Sequence, residues 1–265
     1  MSCREKRCIF HIPNHLEESG VSGSQIRPKK MIQAFRNVGY QVDVVMGYAE
    51  QRKTEIENIK KNIESGVKYD FMYCESSTMP TLLTEKNHIP KHFGLDFKFF
   101  KFCKCHDIPI GLFYRDIYWR FPIYKNNVSG LKYYLAQMAY RYDLYKYSNL
   151  LDIIYLPSYG MKKYLKNKKL DKISRELPPA ASLSQGIIEY KKKFFLDKKN
   201  HCLNLFYVGG IGEQYKFNKL LKGIYDLDFV KLTICCRQNE WLQNKDKYEQ
   251  YLNDRINIVH ESGEK

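Results

Sequence analysis

The sequence predicts an α/β protein with a Rossmann-like doubly wound parallel sheet over residues 1–180 and an incomplete second Rossmann-like unit over residues 201–265. Three observations predict it. Strand-like runs alternate with helical patterns, the order of a parallel sheet covered on both faces. A break at Leu177-Pro178-Pro179-Ala180-Ala181-Ser182 separates two halves, with residues 181–200 as hinge. Beyond it comes a second strand, glycine turn and helix, and the chain stops after a third strand, where doubly wound sheets more often have five or six.

The elements follow in order. Strands are expected at 7–12, 40–46, 69–74, 108–114 and 151–156, and helices near 25–38, 50–65, 94–105 and 130–149. Each crossover is long enough to return the chain parallel and right-handed. Ser24 is the expected N-cap of the first helix, which carries Ile26, Met31, Ile32 and Phe35 at helical spacing. After the hinge, with its Lys191–Lys193 and Lys198-Lys199 runs, Leu203–Val208 reads as a strand stopped by Gly209-Gly210-Ile211-Gly212. A helix over 213–225, a strand over 229–236, a helix over 239–252 and a strand over 256–259 complete the chain. There is no solenoid repeat and no heptad run.

At 44% hydrophobic content, 265 residues bury a sizeable core without staples. Eight cysteines form no Cys-x-x-Cys pair, and several sit in strand-like runs where reduced thiols pack as small hydrophobes, which predicts a reducing, cytoplasmic setting. Cys103, Cys105 and His106 lack a second ligand pair at finger-like spacing, so no metal is expected. The N-terminal segment is too short for a signal core. Forty-four Lys and Arg against 29 Asp and Glu give a net charge of +15, which favours anionic partners and allows peripheral attachment to the inner face of the cytoplasmic membrane. A nucleic-acid role ranks low, since no RNP-like motif, zinc finger or clear helix-turn-helix accompanies the charge.

The chemistry concentrates at Pro109–Pro122, where an apolar run opens into Arg115, Asp116, Tyr118, Trp119 and Arg120. A buried parallel strand delivering polar groups to the carboxyl edge of its sheet has this form. A loop salt bridge under an aromatic cluster is the plainer alternative. Two glycine-rich turns, Gly20-Val21-Ser22-Gly23-Ser24 and Gly209–Gly212, each follow the first strand of their unit and would let backbone amides approach an anion. Neither carries the dinucleotide fingerprint or the lysine of a P-loop, which removes support for hydride and phosphoryl transfer.

Taken together, Ser22-Gly23-Ser24 with Arg27-Pro28, Glu75-Ser76-Ser77-Thr78-Met79-Pro80, Tyr114–Trp119, Leu177-Pro178-Pro179, Phe206–Gly212 and Arg237–Trp241 resemble glycosyltransferases of the GT-B fold, in family order along the chain. The resemblance is to the group-1 (family 4) retaining enzymes of bacterial surface polysaccharide synthesis. It implies a nucleotide-sugar donor bound mainly by the second domain, a saccharide acceptor, lipid-linked by family habit, bound mainly by the first, and closure that excludes water. Asp116 is then the catalytic-site group beside the transferred sugar, with Arg115 orienting it or meeting acceptor phosphate. An ion pair of Asp116 with Arg115 or Arg120 is the alternative.

Gly20, Ser22, Gly23, Gly209, Gly210 and Lys216 would serve the donor phosphates, although Lys216 could equally belong to a solvated helix face. Arg27, Glu75, Tyr118, Trp119 and Arg120 would serve the acceptor. Tyr118 and Trp119 could stack on a sugar or cap the core, and Glu75 could bind hydroxyls or cap the next helix. Two departures stand out: Gly210 occupies the place of a family Arg, and the paired glutamates of the family fall beyond residue 265. Donor affinity and catalysis are therefore expected to be low. The alternative role is a fragment or non-catalytic partner of a transferase, with a partner chain completing the second domain. The resemblance implies no cofactor and no metal.

Overall fold

The computed structural model describes residues 5–17, 22–128, 130–179, 202–212, 215 and 217–260. The expected hinge over 181–200, Gly20 and Lys216 lie outside the described residues. The chain separates into two compact units, residues 1–180 and 181–265.

The first unit is a six-stranded, wholly parallel sheet. Its strands are β1 (Arg7–His11), β2 (Gln41–Val45), β3 (Phe71–Glu75), β4 (Ile110–Phe113), β5 (Ile153–Leu156) and β6 (Ser174–Glu176), in the spatial order β2-β1-β3-β4-β5-β6. The helices are α1 (Gly23–Asn37), α2 (Ala49–Glu64), α3 (Leu95–Cys105), α4 (Pro122–Asn127), α5 (Gly130–Leu150), α6 (Lys162–Leu165) and α7 (Lys168–Ile173). Strand alternation sorts the core. Cys8 and Phe10 of β1 meet Ile32 of α1 on one face, while Ile9 between them joins Ile56 of α2, Phe100 of α3 and Leu144 of α5 on the other. Strands are added on one side of β1 with β2 and on the other from β3 onward, so the switch point lies between β1 and β3, and the carboxyl ends of these two strands border the crevice where open α/β sheets take ligands.

A buried ionic cluster fixes β1 against the helices on the second face. His11 Nε2 lies 2.8 Å from Asp96 Oδ1, and Arg52 donates from Nε and Nη2 to the two Asp96 oxygens at 2.9 and 3.1 Å. Burial works to raise the Asp96 pKa, but the His11 hydrogen bond and the Arg52 guanidinium outweigh it and leave the carboxyl below its ordinary value.

The second unit shows a parallel sheet of β7 (Leu203–Val208), β8 (Val230–Cys235) and β9 (Ile256–Val259), with α8 (Phe217–Ile224) and α9 (Gln238–Asn244). Its core gathers Ile211, Phe217, Leu221, Leu232, Ile234 and Tyr248.

The expected strands and long helices appear within a few residues of their boundaries, and the differences have local causes. Ser22, not Ser24, is the cap residue of α1, and its hydroxyl pairs with that of Ser24 at 2.8 Å. The helix expected over 239–252 stops at Asn244, whose side-chain amide donates to the Glu240 carbonyl at 2.9 Å and so competes with the helical ladder; two 3₁₀ turns, Lys245–Lys247 and Glu249–Tyr251, follow. The helix expected over 213–225 is described from Phe217 to Ile224. The short elements β6, α4, α6 and α7 were not expected, each being under seven residues, too short to show a period.

Candidate functional site

The parallel topology brings the start of α1 and the segments after β3 and β4 to one edge of the first sheet, and a charge cluster forms there. Glu75, the last residue of β3, is fully buried. Arg115 Nη2 donates to its Oε2 at 3.0 Å, and Arg27 Nε lies 3.2 Å from its Oε1. Tyr73, two residues earlier on the same face of the strand, directs its hydroxyl toward Oε1 at 3.4 Å and accepts from Arg27 Nη2 at 3.2 Å. The Arg27 guanidinium lies over the Phe113 ring, 3.7 Å from its centroid. Burial raises the Glu75 pKa, and Arg27 and Arg115 oppose the rise.

Two arginines thus share one carboxylate. The cluster carries a net positive charge, and Arg115 Nε is buried without a hydrogen-bond acceptor among the described residues. Such an arrangement has spare donor capacity for an anion.

Asp116 stands beside this cluster but outside its ion pairs. Its Oδ1 accepts from the Tyr118 amide at 3.2 Å. Burial raises its pKa, opposed by that amide, by the charge of Arg115 and by the Thr78 hydroxyl. The carboxylate partner of Arg115 is therefore Glu75 and not the adjacent Asp116. The Arg115 amide is in turn held by Ser76 Oγ at 3.0 Å.

The inner face of α5 is the back plate of both loops. Tyr140 donates its hydroxyl to the Thr78 carbonyl at 2.6 Å, Gln137 donates to the Trp119 carbonyl at 2.8 Å, and Asp143 accepts the Thr81 amide at 2.7 Å. Trp119 is itself core: it is 2% exposed, stacks on Tyr140 at 4.8 Å and donates from Nε1 to the Tyr114 hydroxyl at 3.0 Å. Stacking on a sugar is closed to it in this arrangement, whereas Tyr118 is half-buried and hydrogen-bonds Asn127. Arg120 lies over the Trp119 ring and donates to the Leu165 carbonyl at 3.3 Å; burial lowers its pKa. The Glu75 oxygens are held by Tyr73, Arg27 and Arg115, and among the described residues they cap no helix. Gly23 opens α1 with space around it, since a Cβ there would meet nothing within 4 Å.

In the second unit, the turn after β7 has an occupant that its sequence does not announce. Glu240 Oε1, from the first turn of α9, accepts the amides of Ile211 at 2.8 Å and Gly212 at 3.0 Å. A Cβ at Gly210 would lie 2.8 Å from the Tyr215 ring and 3.0 Å from Glu240 Oε1, so a side chain there would displace the ends of those two side chains. An open depression of about 640 Å³ adjoins the turn, lined by Gly212, Arg237, Gln238, Asn239, Glu240 and Gln243 among others. Sequence reading missed Tyr73, Ser76 and Thr78 as supports and Glu240 as the occupant of the turn. Tyr73 and Glu75 at strand spacing i, i+2 were the available signal for the first.

Among the described residues, no group of three or more His, Cys, Asp or Glu converges as a metal site. No protein-family model and no curated protein matches the chain. Among solved structures, the chain is similar to Anabaena HepE in complex with UDP and glucose, with TM-score 0.52 and 10% identity over 96% of this chain and 69% of that chain. It is also similar to an alpha-glucosyltransferase in complex with UDP and a 13-mer DNA, with TM-score 0.51 and 11% identity over 96% and 67% of the two chains. At such identities the likeness is one of fold. With two Rossmann-like parallel units in series and structural neighbours of this kind, the chain has the fold of GT-B glycosyltransferases.

Proposed function

We propose that the protein is a glycosyltransferase by descent, which takes a sugar from a nucleotide-sugar donor and passes it to a saccharide acceptor, lipid-linked, in surface polysaccharide synthesis. The observation that carries the reading is the Arg27–Glu75–Arg115 cluster beside Asp116 at the carboxyl edge of the first sheet. Its spare guanidinium donors suit a phosphate of donor or acceptor, and Asp116 is a carboxyl able to hydrogen-bond or exchange a proton with the group being transferred. Gly23 and Ser22 at the start of α1 offer close approach to a diphosphate. The depression beside Gly209–Gly212 is the assigned seat of the nucleotide, with Arg237 on its wall. The acceptor-side residues are Arg27, Arg115, Tyr118 and Arg120, and retention of configuration belongs to the same reading.

Calorimetric titration with UDP-, GDP- and dTDP-sugars, joined to a sugar-transfer assay, tests this. The expected result is binding of one nucleotide sugar and, for Asp116→Ala, a transfer rate lower by about 10²–10⁴ with the nucleotide still bound. A folded chain that binds none of these nucleotides overturns the reading.

One observation favours a second reading, a non-catalytic partner of a transferase: the amides that would meet a donor pyrophosphate are taken by Glu240. An anion entering there meets both an occupied pair of donors and a like charge. Glu240→Gln removes the charge while keeping an acceptor, and its nucleoside diphosphate affinity is expected to rise by about tenfold, the effect of roughly 1.4 kcal/mol of relieved repulsion. Unchanged affinity in a variant of unchanged stability would remove Glu240 from the donor site.

A further inference from the structure

The face of α5 opposite the site loops is apolar and bare. Leu131, Tyr134, Leu135, Met138 and Tyr145 are 73%, 63%, 47%, 57% and 63% exposed. Their spacing of i, i+3, i+4, i+7 and i+14 places them on one stripe of the helix. Residues flanking the stripe are cationic: Arg141 projects at one edge and Lys132 and Lys146 at the other. The single acid of α5, Asp143, is buried on the inner face, so no carboxylate interrupts the outer one. The surface continues onto residues 86–93. Phe93, 66% exposed, has its ring centroid 5.9 Å from that of Tyr142, and Ile89 is 62% exposed between the exposed Lys86 and Lys91. Glu50, near this segment, is engaged by His92 at 2.7 Å.

We propose that the outward face of α5, extended by Ile89 and Phe93, docks the protein on an anionic lipid surface. An apolar stripe edged by lysine and arginine is the pattern of a helix lying in the headgroup plane, rings and aliphatic chains entering the acyl boundary while the long cationic side chains reach the headgroups. Charge selects lipid over a second copy of this chain. Pairing this face with itself across a two-fold axis would set Arg141, Lys132 and Lys146 against their own counterparts with no exposed carboxylate on the helix to answer them. No described helix is long and apolar enough to cross a membrane, so contact through this face is peripheral. The inference is independent of sugar transfer, because docking would persist in a chain that transfers nothing.

The experiment is co-sedimentation of the full chain with phosphatidylcholine vesicles, with and without phosphatidylserine, at low and high salt. Binding is expected to be at least about tenfold stronger with the anionic lipid and to weaken with salt. The double variant Leu131→Glu with Met138→Glu should reduce that binding by about tenfold or more, while Val38→Glu, at an exposed apolar position at the end of α1, should not. Circular dichroism checks that each variant is folded, and sedimentation velocity gives its oligomeric state. Absence of binding to anionic vesicles overturns the proposal, and so does undiminished binding by the folded double variant. A dimer in solution that the double variant dissociates overturns it in favour of contact between copies.

Discussion

Glu75→Ala is expected to lower stability by about 3–5 kcal/mol, read from urea unfolding at neutral pH. The wild-type carboxylate is fully buried, and it is the shared counter-ion of Arg27 and Arg115, whose side chains are 19% and 14% exposed. Truncation leaves two largely buried guanidiniums facing one another with no anion between them, and opens a cavity at the end of β3. The loss therefore contains repulsion as well as lost hydrogen bonds. Glu75→Gln keeps the volume and one acceptor oxygen, so it should fall between wild type and alanine. The network also predicts non-additivity: in Glu75→Ala with Arg115→Ala the second substitution should restore part of the stability lost by the first, since it removes one uncompensated charge. A Glu75→Ala chain within about 0.5 kcal/mol of the parent would mean that water already neutralises the cluster, as at an exposed site. That outcome would also weaken the case for these arginines as phosphate ligands, because their spare donors matter only where water is scarce.

The partnership of Arg115 shows where sequence reading runs out. Adjacency in the chain suggests Asp116, yet both residues lie in the loop past β4, where Asp116 turns to the Tyr118 amide, and the partner of Arg115 comes from β3, the neighbour of β4 in the sheet. Lateral strand order is set by the crossovers, and periodicity alone does not give it. The strands themselves were readable because buried parallel strands are short apolar runs, and α1, α2, α3 and α5 because they span several turns. Trp119 reads the same whether it stacks on a ligand or on Tyr140; only the position of α5 decides, and it decides for the core. Glu240 was legible as an acid near a helix start, where it complements the dipole, but its hold on Ile211 and Gly212 depends on β7 and β8 lying side by side. The stripe on α5 was hidden by composition: both the buried and the exposed faces of the helix carry apolar and aromatic residues, so it has little amphipathic contrast to mark which side faces out.

The other large effect is one of pH, and it belongs to Asp143 on the inner face of α5. Burial pushes its carboxyl up to about 7 from the ordinary 3.8, against the pull of the Thr81 amide and hydroxyl, with the Asp96 charge adding to the rise. One oxygen accepts the Thr81 amide at 2.7 Å and the other is buried without a hydrogen-bond partner among the described residues. In the unfolded chain this group loses its proton near pH 4; in the fold it keeps it to about 7. Between those values the folded state binds more protons than the unfolded, so its contribution is fully present below pH 4 and declines as pH rises toward 7. The full decline is on the order of 4 kcal/mol, at about 1.4 kcal/mol per pH unit. Asp143→Asn mimics the protonated acid, since its carbonyl can still accept from Thr81 and its amide takes the place of the unpartnered oxygen. The advantage of the variant over the parent should be about 3 kcal/mol larger at pH 8 than at pH 5, from about two pH units at about 1.4 kcal/mol each. Parallel urea melts at the two pH values give the result, and the quantity that decides is the change in the difference between the two proteins, which cancels every other titrating group. A difference independent of pH would place the Asp143 carboxylate in contact with water. A difference that opens with pH would make α5, which holds Thr78, Thr81 and Trp119 in place, loosest under alkaline conditions, and the site loops with it.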